Sequence, residues 1–268
     1  MESRLITLTT DFGTRDPFVG IMKGVIFGIN PAARVIDLSH GIPAQEFTGA
    51  AAVLRQSAPF FPHGTIHVAV VDPGVGSERR PLLIEAEGSF FVGPDNGILS
   101  LAVAEKTVRQ IVHISNEIYH LKPVSATFHG RDIFAPVAAY LSLGIPAREF
   151  GVTASDYTRI AWPDIIKADR SIEGEIIYID GFGNLITNVR EEDLKEFQRQ
   201  VTISLGGIRV QGVDHSYTNG AEKDYVALVN SWGLLEISRF RGNAQLESGA
   251  KIGDKVHIEK GRGGDRGA

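Results

Sequence analysis

Apolar positions along the chain follow two rhythms, and the change between them divides the sequence. In the first part, Leu5–Thr10 is a β-branched run that predicts a strand. Phe18, Ile21, Met22, Val25, Ile26 and Ile29 then recur three and four apart, which predicts a helix with one apolar stripe. Asp16-Pro17 stands just ahead of that stripe and predicts an N-cap followed by proline at the first helical position. The pattern repeats with a strand over Val35-Ile36-Asp37-Leu38, a helix carrying Phe47, Ala51, Leu54 and Ala58, and a strand from Ile66 to Val71. The nearly continuous hydrophobicity of that last run suits a central parallel position. Further strands are expected at Leu82 to Glu85 and Ile111 to Ile114, and a helix from Asp132 to Leu143 stops at Gly144-Ile145-Pro146. Strands alternating with helices predict an α/β fold with a doubly wound, mostly parallel sheet.

Beyond Lys167 the rhythm shortens. Strand-like runs at Glu175 to Ile179, Val201 to Leu205, Ile208 to Val210, Tyr225 to Val229 and Lys255 to Ile258 follow one another with few helices between. Gly206-Gly207 joins two of them as a hairpin. The expected organisation is an N-terminal α/β catalytic domain over residues 1–166, a smaller antiparallel, barrel-like β domain over 167–260, and a flexible tail over 261–268.

The chain has 268 residues and 43% apolar content, enough for a core in each region. A net charge of −5 with acids and bases interspersed argues against a nucleic-acid partner, which would require a broad basic face. The absence of cysteine excludes disulfides, thiolate nucleophiles and thiolate metal ligands. No apolar run approaches the ~20 residues of a membrane span, and Met1-Glu2-Ser3-Arg4 leads straight into a strand rather than a signal-peptide core. A cytoplasmic protein without a membrane partner is expected.

Chemistry-bearing residues gather in loops after strands, where open α/β sheets bind ligands. Asp11, in Thr9-Thr10-Asp11-Phe12-Gly13, suits either an Asx turn or a carboxylate accepting from both hydroxyls of a ribose. The loop Asp72-Pro73-Gly74-Val75-Gly76-Ser77-Glu78-Arg79-Arg80 completes neither a dinucleotide-binding nor a Walker pattern, but an arginine beside Asp72 would hold that acid ionised and oriented. In Thr127-Phe128-His129-Gly130-Arg131-Asp132, His129 is either structural or catalytic, Asp132 is expected to cap the following helix, and Arg131 to be solvated. Gly93-Pro94-Asp95-Asn96-Gly97 reads as a turn first and a binding loop second. In the second region, Asp180-Gly181-Phe182-Gly183-Asn184, Asn230-Ser231-Trp232-Gly233 and Arg241-Gly242-Asn243-Ala244 are ordinary turns or, if gathered at one end of a barrel, a polar pocket wall. No metal site is expected.

Taken together and in this order, these motifs resemble the S-adenosylmethionine (SAM) hydroxide adenosyltransferase family, the SAM hydrolases once grouped as a domain of unknown function, which are distant relatives of SAM-dependent fluorinases and chlorinases. The resemblance spans nearly the whole chain. It implies hydrolysis of SAM to adenosine and methionine, with SAM as substrate and no further cofactor, by a homotrimer whose active sites lie between the N-terminal domain of one subunit and the C-terminal domain of the next. It maps the catalytic set onto Asp72, Arg79 and His129, the ribose-binding acid onto Asp11, and the methionine and adenine contacts onto Asp180, Phe182, Asn184, Ser231 and Ala244. The related halogenases lack the Asp72-to-Arg79 loop and the histidine. A non-catalytic adenosine or SAM sensor and a SAM-dependent halogenase remain the alternative readings.

Overall fold

The computed structural model of the protein describes residues 4–197, 200–220 and 224–261. These form two compact units that meet in sequence between Ala161 and Trp162. The first unit contains β1 (Leu5–Thr10), α1 (Phe18–Ile29), β2 (Arg34–Ser39), α2 (Phe47–Ser57), β3 (Ile66–Val70), β4 (Pro81–Ala86), β5 (Ser89–Pro94), α3 (Ser100–Val103), β6 (Val108–Ile114), α4 (Ala135–Ser142) and β7 (Gly151–Ala154). Its single sheet has the order β2-β1-β3-β5-β4-β6-β7. Strands β1, β2, β3, β5 and β6 run one way, while β4 and β7 run against their neighbours, so the sheet is mostly parallel as expected.

Side chains of a strand alternate between faces. Ile6, Leu8, Ile66, Val68 and Val70 point to the face covered by Met22 and Ile26 of α1 and Val137 and Leu141 of α4. Each of these aliphatic side chains contributes about 1.5–3 kcal/mol when fully buried. Helices α2 and α3 pack on each other, and neither joins that cluster, so they cover the opposite face. All five residues of β3 are buried, in keeping with its central place. Helix α1 starts one residue later than expected: Pro17 is the N-cap, its carbonyl accepting the first helical bond from Ile21 at 2.9 Å, and Asp16 stands outside.

The second unit contains β8 (Ile166–Ala168), β9 (Ser171–Ile179), β10 (Leu185–Arg190), α5 (Glu191–Leu194), β11 (Val201–Leu205), β12 (Ile208–Gln211), β13 (Val226–Val229), β14 (Leu234–Ser238), α6 (Ala244–Ser248) and β15 (Lys255–Lys260). Its antiparallel sheet has the order β12-β11-β15-β9-β10-β14-β13, with β8 added to β9, and a bridge from Asp214 to Leu228 leaves it nearly closed as a barrel. Leu205 pairs with Ile208 across the Gly206-Gly207 hairpin. Ile176, Leu185, Ile203, Leu235, Ile237, Val256 and Ile258 fill the interior.

Strands β10 and β14 have no counterpart among the apolar runs of the sequence, because each carries a buried polar residue. Asn188 accepts from Glu175 N–H at 2.7 Å and donates to the Pro163 carbonyl at 2.9 Å. Glu236 accepts from Tyr217, Asn230 and Ser238 at 2.6–3.1 Å. A buried polar group is tolerated when so satisfied. The tail assigned to residues 261–268 lies outside the described residues from 262 onward. No helix among the described residues is long and apolar enough to cross a membrane.

Candidate active site

In the first unit, Asp11 follows the end of β1 and Asp72 lies just past β3, its parallel neighbour, so two carboxylates emerge at the same edge of the sheet. They line one cavity of about 410 Å³ together with Phe12, Phe18, Gln45, Val75, Phe128 and His129. Its wall includes a triangle of rings, Phe12, Phe18 and Phe128, with centroids 5.3–5.8 Å apart in edge-to-face contact.

Asp72 and Arg79 are 6% and 9% exposed and form a two-pronged ion pair: Nε of Arg79 donates to Oδ1 at 2.9 Å, and Nη2 to Oδ2. Such a fork fixes the carboxylate's direction as well as its charge. The same Nη2 donates to Nδ1 of His129 at 2.7 Å, and the guanidinium lies over the Phe134 ring with its carbon 5.5 Å from the centroid. An arginine has no lone pair to offer, so Nδ1 of His129 is the acceptor and the imidazole proton resides on Nε2. Burial, and then the charge of Arg79, hold the His129 pKa below the ordinary histidine value against the opposing pull of Asp72 and Asp132. His129 is therefore a neutral donor toward the cavity at pH 7.

His129 precedes a π-helical turn, Gly130–Phe134, that runs into α4. The expected capping role of Asp132 is corrected here. The residue sits inside the turn, fully buried, where its carboxylate accepts from Ser125 N–H at 2.8 Å and from Arg131 Nε and Nη2 at 2.6 and 3.0 Å. Arg131 is accordingly engaged rather than merely solvated, its guanidinium 5.3 Å from the Phe128 ring centre. Gly76, at φ +78°, lets the arginine loop touch the histidine loop, since a Cβ there would lie 2.3 Å from the Ala126 carbonyl oxygen.

Asp11 is held by the backbone: Oδ2 accepts from Gln45 N–H at 2.9 Å, with Gln45 in a left-handed conformation at φ +66°. Behind it, Phe12 N–H donates to Thr10 Oγ1, which bonds Nδ1 of buried His40, whose Nε2 lies 3.0 Å from Asp37. His63 and His67 have a four-residue spacing that would place two metal ligands on one face of a helix. His67 instead lies inside β3, bonded to Thr7 and stacked on Phe91. Among the described residues, no cluster of three or more metal-ligating side chains occurs.

In the second unit, Asp180 ties up its own turn. Oδ1 accepts from Phe182 N–H and Asn184 N–H, and Oδ2 from the Asn184 side chain, each at 2.9 Å. The Phe182 ring is 78% exposed. Gln245 N–H donates to the Gly183 carbonyl at 3.0 Å, fastening the start of α6 onto this turn. Asp180 shares a cavity of about 420 Å³ with Ser231, Trp232 and Glu236, and another with Phe182, Asn184 and Arg241. Ala244 is buried in the core of the unit. The structure thus joins Asp72, Arg79 and His129 by direct contact, adds Asp11 to their cavity, and gathers Asp180, Phe182 and Asn184 in one turn. Sequence reasoning missed the ring triangle and Gln45. Phe12 and Phe128 adjoin Asp11 and His129, which was a usable signal; nothing local to Gln45 marks it.

Residues 6–151 match the SAM hydroxide adenosyltransferase N-terminal domain, and residues 174–257 match the SAM hydroxide adenosyltransferase C-terminal domain. The chain belongs to this family. It is 36% identical to an (R)-S-adenosyl-L-methionine hydrolase of Methanocaldococcus jannaschii, with 95% of each chain covered. A crystal structure of an uncharacterized conserved protein from Thermotoga maritima superposes with a TM-score of 0.88 at 33% identity, covering 95% of this chain and 99% of that one. Similarity to a fluorinase of an Actinoplanes species is lower, 26% identity over 96% of this chain and 97% of the relative. The family resemblance read from the motifs therefore holds, with the halogenases as more distant kin.

Proposed function

We propose that the protein hydrolyses S-adenosyl-L-methionine to adenosine and L-methionine. The observation that carries this reading is the contact of Asp72, Arg79 and His129 at the edge of a cavity that also holds Asp11. Similarity to the M. jannaschii hydrolase supports the substrate and its R configuration at sulfur.

In this reading a water oxygen bonds to the ribose 5′ carbon as the carbon–sulfur bond breaks, its electron pair goes to sulfur, and one proton leaves the water. The leaving group is a neutral thioether and needs no acid. The difficulty is the nucleophile, because free water has a pKa near ~15.7. With Nδ1 of His129 occupied by Arg79, the proton-accepting group beside the water is the Asp72 carboxylate, and His129 Nε2–H is the donor that orients it. Arg79 stabilises the negative charge that develops. A base contributes about 10²–10⁴-fold and in-line positioning about 7–11 kcal/mol, so orientation outweighs basicity. Asp11 accepts from the ribose hydroxyls. Asp180, Phe182, Asn184 and Ser231 contact the methionine and adenine portions, with Ala244, which the family resemblance adds to this set, in the core behind them. A cytoplasmic homotrimer with no cofactor, SAM being the substrate, completes the reading, supported by the family resemblance.

The test is chromatography of the products formed from each sulfonium epimer. Adenosine and methionine from the R epimer are expected, with a rate unaffected by EDTA. Adenosine binding by calorimetry without turnover would replace the proposal with a sensor, and a 5′-halo nucleoside formed in chloride or fluoride would replace it with a halogenase. Sedimentation at three times the chain mass is expected, and a monomer would remove the trimer.

A further inference from the structure

The motif Gly93-Pro94-Asp95-Asn96-Gly97 contributes no group to the cavity, yet the sheet order gives it a task. Strand β5 lies between β3 and β4. Asp72 follows β3, and Arg79 and Arg80 precede β4, so the loop that carries the ion pair passes over the end of β5, where this motif begins.

Both ends of the loop are fastened there. On the β3 side, Asn96 Nδ2 donates to the carbonyl of Val71, the residue before Asp72, at 2.8 Å. On the β4 side, Asp95 accepts from Arg80, the residue after Arg79, with Nε at 2.8 Å, and Asp95 N–H donates to the Arg80 carbonyl at 2.9 Å. The hub is itself held: Thr158 N–H donates to the other Asp95 oxygen at 2.6 Å, and Ile98 N–H to the Asn96 side-chain oxygen at 3.1 Å. Gly93 seats β5 against β3 closely enough that a Cβ there would lie 2.4 Å from the Ala69 carbonyl oxygen.

We propose that Asp95 and Asn96 are positioning residues for the hydrolysis, bracing the two ends of the loop so that Asp72 and Arg79 face each other and Arg79 meets His129. The inference rests on the reading of those residues as the reacting set. Neither brace lines the cavity that holds Asp11 and Asp72. Misplacing a reacting group by about 1 Å can cost about 10²-fold in rate, so loss of one brace out of two is expected to cost about 10-fold.

The experiment uses Asn96→Ser, in which a hydroxyl still accepts from Ile98 N–H but is too short to reach Val71, and Arg80→Ala, which removes the Asp95 pair at a residue whose side chain is 34% exposed. Each variant is expected to lower kcat about 10-fold with KM for SAM within 2-fold. In each, the NMR titration of His129, assigned by its loss in His129→Gln, should move toward the ordinary histidine value as Arg79 draws away from Nδ1. That titration requires no turnover, so it tests the brace even if SAM proves not to be the substrate. An unchanged titration and kcat in both variants, or a raised KM with unchanged kcat, would overturn the inference. Should Asn96→Ser not fold, Arg80→Ala decides by the same two readouts.

Discussion

Asp72 and Asp180 both open glycine-containing loops after a strand, and both carboxylates are fully oriented, but by different kinds of donor. Asp72 is held by a guanidinium seven residues on, so its charge is cancelled where it stands. Asp180 is held by two backbone N–H groups and an amide of its own turn, and among the described residues none of these donors is a cation. The first arrangement makes a neutral, buried and directional pair that does not compete for a cationic ligand. The second leaves a negative charge beside an exposed aromatic ring, which suits recognition of the positive charges of SAM. Over-tight attraction at the reacting centre would slow the reaction, because the sulfonium charge disappears in it. On the proposed reading, giving charge attraction to Asp180 rather than to Asp72 avoids that penalty.

The strongest way to break this comparison is Arg79→Ala. The variant leaves the Asp72 carboxylate buried without its partner, with a stability loss of about 3–5 kcal/mol and a fall in adenosine release of at least about 10³-fold. Thermal melting and product assays measure both, and retention of a tenth of the activity would undo the assignment. Next is His129→Gln, for which a loss of about 10²-fold is expected with an unchanged KM. The pH profile tests the protonation state: the neutral imidazole is the working form and its pKa is lowered by burial and Arg79. The wild-type rate should therefore hold flat above neutrality and fall only as pH drops below the ordinary histidine value of about 6.5. An acid limb above that value would contradict the neutral-donor role.

Asp180→Asn sharpens the other half. It keeps an oxygen for the turn but removes the charge, and should raise KM about 10–100-fold, equivalent to about 1.5–3 kcal/mol, with kcat within a few-fold. A kcat effect as large as that of His129→Gln would show that the two acids do not divide the work. The smallest effect belongs to Phe182→Leu. The exposed ring should contribute about 0.5–2 kcal/mol through cation–π attraction, a rise in KM of about 2–20-fold, with melting unchanged. An equal KM in the two proteins would remove the ring from recognition.

Much of this was legible in the residues, for reasons that also mark where reading stops. The parallel strands announced themselves because burial on both faces demands unbroken apolar runs, as in β3. Asp72 and Arg79 were legible as loop chemistry after a strand, whereas His129 joined them only through the family resemblance. Strands β10 and β14 were hidden because Asn188 and Glu236 look like surface residues until their hydrogen-bond partners are seen. Asp132 read as a cap because an acid near a helix start usually is one; only the wider π turn, which carries it inside the helix toward Ser125, shows otherwise. The task of Asp95 and Asn96 depends on β5 being inserted between β3 and β4, an order no local pattern encodes.

Gly76 allows the arginine loop and the histidine loop to lean on one another, with backbone against backbone and no side chain as a spacer. Every other residue type would act as a wedge of at least one methyl group between them, prising the guanidinium from the imidazole while leaving Asp72, Arg79 and His129 chemically intact. A saturation library at this position, selected for turnover, would return a single amino acid.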